Sequence, residues 1–125
     1  MLFYWMIWIK LGWDDAQSFS VCEIDLWCFL GISILINQGF KINLINFSIT
    51  LIFLILLVLR NMIGSADRDV LMIMLLTHSI HDWLMIVFLS SLLALIHVII
   101  KKKKVVPFLF FMCLGHFLNF CLKTL

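Results

Sequence analysis

The 125-residue sequence predicts an all-α, polytopic membrane protein of about six short transmembrane helices. Three observations predict it. The chain is 65% hydrophobic and only 13% charged, with a mean hydropathy of +1.18, whereas soluble domains keep roughly half their residues apolar. Its apolar residues come in long runs, as at 51–59 and 70–76, and its charges gather where those runs stop. At about 20 residues per span, the length leaves no separate soluble domain. Residues 1–125 are therefore expected to form one membrane-embedded domain, multi-pass in the cell membrane.

The first span covers residues 1 to about 13, with Lys10 placed to snorkel. It has no basic leading region and no small-residue cleavage site, so it is expected to be retained. A polar turn at 14–20 precedes a second apolar segment, 21–36, whose first turns carry Glu23 and Asp25 at an interface. Amides and a glycine make 37–43 a loop, and 44–63 forms the third span with Arg60 at its far end. A turn at 64–69 leads into a short fourth segment, 70 to about 79. Residues 84–100 form the fifth, stopped by the lysine run 101–104. The sixth, 105–122, has Pro107 in its first turn, where a missing N–H costs least.

Orientation follows from the bases. Arg60, Arg68 and the four lysines lie at the ends of spans three and five, which six spans put on one face, and basic loops stay cytoplasmic. Counting back, the turn after span one lies on that same face. Asp14, Asp15 and Asp67 therefore share a side of the membrane.

Several chemistries are excluded. A net charge of +2 is too small for nucleic acid. Cys22, Cys28, Cys113 and Cys121 form no C-x-x-C pair and read as buried free thiols. His78, His81, His97 and His116 lack ligand-like spacing and read as packing or interfacial residues. No metal or cofactor is expected. The tryptophans near span ends read as interfacial anchors, and the lysine run as a stop-transfer signal or a contact for anionic membrane lipid.

One stretch breaks the apolar background. Gly64, Ser65 and Ala66 are followed by Asp67, Arg68 and Asp69, directly before an apolar helix. An acid there is expensive unless it works, although Asp67 is also placed to serve as a first-turn acid, with Ser65 as rival cap. The pattern Gly64-x-Ala66-Asp67 resembles the Gly-x-Gly-Asp signature of the type IV prepilin peptidases and, in its alanine form, the preflagellin peptidases. Asp15 followed by a polar stretch and Val21 resembles that family's first motif, with Cys22 where proline is usual. Lys103, Lys104, Pro107 and Phe108 with Gly115 downstream resemble its basic loop, Pro-Phe pair and later glycine. Asp69 stands where the family commonly has lysine.

The resemblance implies an intramembrane aspartic endopeptidase that removes leader peptides from type IV pilin-like or pseudopilin precursors at the cytoplasmic face. Asp15 and Asp67 are the catalytic pair it implies. Two carboxyls close together cannot both ionise readily, so one is kept protonated while the other activates water. Gly64, Ser65 and Ala66, being small, are expected to let a substrate backbone approach. Asp14, Glu23, Asp25, Asp69 and Asp82 read as interfacial charges. Lacking paired C-x-x-C motifs, the chain is expected to cleave without methylating the product. The rivals are a non-enzymatic small membrane protein, such as a transporter subunit or assembly factor, and an inactive family member.

Overall fold

The computed structural model describes residues 1–37, 44–59, 64–102 and 106–125. The described residues form six helices and no strands: α1 (Leu2–Ser18), α2 (Glu23–Ile36), α3 (Leu44–Leu59), α4 (Ser65–Thr77), α5 (Ile80–Lys101) and α6 (Phe108–Thr124). Packing is densest between α5 and α6, then between α1 and α6; α2 bridges α1 to α4, and α3 lies outermost against α4. Most of the loop at 37–43, with Lys41, as well as Arg60, Lys103 and Lys104, falls outside the described residues.

The helices differ from the sequence-based spans mainly at their ends. Residues 14–20 are not a turn. Nothing from Trp13 to Ser18 breaks a helix, so α1 continues to Ser18 and stops at Phe19, whose φ of 52° is left-handed. Likewise α4 starts at Ser65, which puts Asp67 and Asp69 inside the helix and makes Gly64 the residue preceding it. The break before α5 shrinks to His78 and Ser79, because the Ser79 hydroxyl accepts the Asp82 N–H at 3.3 Å and caps a helix that already contains His81, Asp82 and Trp83. Pro107 stands just ahead of α6 rather than within it.

Each inner helix buries one stripe. On α1 it is Tyr4, Trp8, Leu11 and Asp15; on α6 it is Leu109, Met112, Gly115, His116 and Asn119. Steps of three and four residues keep these on one face of a helix. The outside is apolar too: Ile45, Ile49, Ile52 and Phe53 on α3 and Ile96, Ile99 and Ile100 on α5 are all exposed. Among the described residues, only α5, with 22 residues, is a helix long and apolar enough to cross a membrane.

Some side chains take other places than expected. Trp8 and Trp83 are core residues rather than interfacial anchors, and the Trp83 indole N–H donates to the Leu71 carbonyl at 3.0 Å, tying α5 to α4. Cys22 and Cys28 are exposed, one ahead of α2 and one on its outer face, so they are not buried thiols. Lys10 does not snorkel alone but reaches the Asp25 carboxylate at 2.6 Å, pairing α1 with α2.

Two glycines let helices meet closely. A Cβ on Gly115 would overlap the Ser90 hydroxyl and lie 2.9 Å from Ser90 N and 3.0 Å from the Ile86 carbonyl, so the α5–α6 crossing depends on its absence. At Gly12 an added Cβ would lie 3.3 Å from Phe110 Cα, a milder crowding of α1 on α6.

Candidate active site

The α1–α6 contact brings the C-terminal end of α1 to the N-terminal end of α6. Asp15 is the residue that joins them. Its Oδ2 accepts the Leu109 N–H at 2.9 Å, satisfying one of the amides that a helix start leaves without an intrahelical partner. Only 6% of Asp15 is exposed. It continues the buried stripe of α1 four residues after Leu11, whereas Asp14 is only partly covered.

Asp67 occupies the corresponding position on α4. It lies three residues before Val70, four before Leu71 and seven before Met74, all buried, so it too points with the core face. Its Oδ2 accepts the Gly64 N–H at 3.3 Å, forming half of a capping box. Ser65, the rival cap, is instead the first helical residue, and Ala66 is partly buried against the core cluster.

Both carboxyls lie at the polar ends of their helices, beyond the apolar stretches. Burial pushes Asp67 up to about 6 from an ordinary 3.8, with the charge of Asp15 adding to the rise and the Gly64 amide opposing it. Burial also raises Asp15, against which the backbone N–H groups of Leu109 and Phe110 favour its anion. The two environments therefore differ in kind. Asp15 is buried and held by amides, while Asp67 is partly buried and has one long hydrogen bond.

The other acids go elsewhere. Asp69, about 200° around α4 from Asp67, pairs with Arg68 at 2.7 Å. It also lines a groove of about 420 Å³ between α2 and α4 with Glu23, Trp27 and Met72. Asp25 is taken by Lys10, and Asp82 pairs with Lys123 at 2.6 Å.

A second polar cluster was missed by spacing in sequence. His78 and His116, 38 residues apart in the chain, approach to a ring separation of 5.3 Å, and the Tyr4 hydroxyl hydrogen-bonds the Nε2 atoms of both, at 3.4 and 3.0 Å. It sits at the opposite end of the bundle from the aspartates, where α1 and α5 begin and α4 and α6 end. The available signal was His116, Asn119 and Lys123 at steps of three and four on α6. Among the described residues, no group of three His, Cys, Asp or Glu side chains could hold a metal ion.

Fold and site together define, among the described residues, an all-helical bundle with one end carrying a buried and a partly buried carboxyl and the other a Tyr–His–His cluster. No family model, curated protein or solved structure matches the chain.

Proposed function

We propose that this protein is a polytopic membrane aspartic endopeptidase resembling the prepilin peptidases, which removes leader peptides from pilin-like precursors at the cytoplasmic face of the cell membrane. What supports the reading is that Asp15 and Asp67, from separate helices, lie on core-facing stripes toward one end of the bundle, with the charge of Asp15 adding to the raised pKa of Asp67. Asp15, held by α6 amides, is the ionised partner that activates water. Asp67 carries the proton, which it gives to the carbonyl oxygen as the tetrahedral intermediate forms. Gly64, Ser65 and Ala66 leave room beside it for an extended backbone.

The membrane part of the reading is supported by apolar residues facing outward on α1, α2, α3, α5 and α6. At 1.5 Å per residue, α5 spans about 33 Å, while the 13 to 17 residues of the other helices span roughly 20–25 Å. A bundle of that height sits in a bilayer thinned around it. Reporter fusions placed after Lys104 and between Gly64 and Asp69 are expected to read cytoplasmic, and one after Lys41 external. Opposite locations for the first two would remove the shared site.

Co-expression with a pilin-like precursor tests the activity. The expected result is loss of a leader-length mass from the precursor. An intact precursor beside membrane-inserted protein would favour the non-enzymatic rival.

A further inference from the structure

At the end of the bundle away from the aspartates, a cavity of about 240 Å³ is lined by Tyr4, His78, Asp82, His116, Asn119 and Lys123. No step of the proposed cleavage uses it. His116 is 8% exposed; its Nε2 meets Tyr4, while its Nδ1 has no hydrogen-bond partner. Asn119 is nearly as buried. At the mouth stands the Asp82–Lys123 ion pair, with the lysine about half exposed. Trp5, Ile36 and Phe120 form an apolar rim.

We propose that this pocket binds a charge-balanced ligand bearing a phosphodiester and a primary ammonium, the chemistry of glycerophosphoethanolamine, which a membrane supplies as the headgroup of phosphatidylethanolamine. The argument starts from charge. Asp82 and Lys123 sum to zero, so a ligand of net charge would leave one charge uncompensated in a partly desolvated site. A zwitterion opens the ion pair and replaces it with two: ammonium on Asp82, and phosphate on Lys123. Asn119 provides an amide donor and the imidazoles further polar contacts for the phosphate oxygens. A primary ammonium has N–H groups for the carboxylate, and a trimethylated one has none.

Size and position agree. The volume equals that of about eight waters, near the size of a phosphoethanolamine group. The pocket lies where apolar helices end, the depth of lipid headgroups, with the rim of Trp5, Ile36 and Phe120 continuing toward the hydrocarbon. The proposal rests on the membrane reading and is independent of the peptidase reading.

Native mass spectrometry of the detergent-solubilised full chain tests it, using phosphatidylethanolamine, phosphatidylcholine and phosphatidylglycerol of identical acyl chains, with free glycerophosphoethanolamine as competitor. Wild-type protein is expected to retain phosphatidylethanolamine about tenfold or more over the other two, the scale of one charge-assisted hydrogen bond. Asp82→Asn is expected to lose the preference over phosphatidylcholine, and Lys123→Gln to weaken both. Displacement by free glycerophosphoethanolamine supports the site with a soluble source, and retention against it supports the lipid source. Equal retention of all three lipids by wild-type protein overturns the proposal, and that measurement needs no variant to fold. Alkaline extraction of cell membranes separates the failures: release of the chain would sink the membrane reading, whereas equal lipid retention by a chain that stays in membranes sinks only the pocket.

Discussion

Asp67→Asn is expected to abolish leader cleavage and, at neutral pH, to stabilise the fold. The loss of activity, about a thousandfold or more, follows because an amide cannot exchange the proton the pair shares. Stability moves the other way. A carboxyl whose pKa rises from 3.8 to about 6 on folding contributes fully below 3.8 and loses that contribution as pH climbs through 6. At pH 7 most molecules of the wild-type fold carry a partly buried ionised Asp67, the protonated minority being the reactive form; ionisation there costs on the order of 2–3 kcal/mol that Asn lacks, while its amide oxygen still accepts the Gly64 N–H. Wild-type denaturation midpoints in detergent should therefore fall between pH 4 and 7 and those of Asp67→Asn should fall less, Asp15 remaining as a second raised carboxyl.

Asp15→Asn should also abolish cleavage, since its amide oxygen keeps the bond from Leu109 but cannot activate water. The double variant should be no worse than either single one, because groups acting as a unit lose nearly everything at the first removal. Asp14→Asn, Asp25→Asn and Asp69→Asn should keep activity, the last two being engaged with Lys10 and Arg68. Appreciable turnover by Asp67→Asn in a properly inserted protein would end the aspartic-peptidase reading.

The largest structural effect is expected at Gly115. A methyl there meets backbone of α5, not only a side chain that can turn away, so Gly115→Ala must push the two helices apart. The expected cost is about 2–3 kcal/mol, the upper part of the overpacking range. Ser90→Ala removes the hydroxyl overlap but leaves the Ser90 nitrogen and Ile86 carbonyl in place. Adding it to Gly115→Ala should recover a minor part of the loss, as measured by detergent denaturation midpoints. Gly12→Ala, facing the milder contact, should cost less. A fully rescued double variant would mean that the side chain, not the backbone, sets the crossing.

The six helices were legible because apolar runs interrupted by polar residues carry that information directly. Their ends were not. Residues 14–18 are polar, which suggests a turn, yet contain no breaker, and helix propensity carries α1 through them. Choosing Asp15 over Asp14 rested on a motif, yet the steps Tyr4, Trp8, Leu11, Asp15 contain the same choice in the period of the helix. What no local pattern carried was the bond from Leu109 to Asp15, since which helix ends meet is decided by long-range packing. The Tyr4–His78–His116 cluster was hidden for the same reason: its members come from α1, the end of α4, and α6.

The Asp15–Leu109 bond also has a consequence in time. Its partners are 94 residues apart, so at ordinary rates of synthesis about 5–20 s separate their appearance. Throughout that interval α1 must wait with the faces of Tyr4, Trp8 and Asp15 uncovered by α6, and the acid end is assembled only after the last helix arrives. Ribosome-stalled chains lacking α6 should therefore offer those faces to whatever guards unfinished membrane proteins, and should be degraded faster than the released chain.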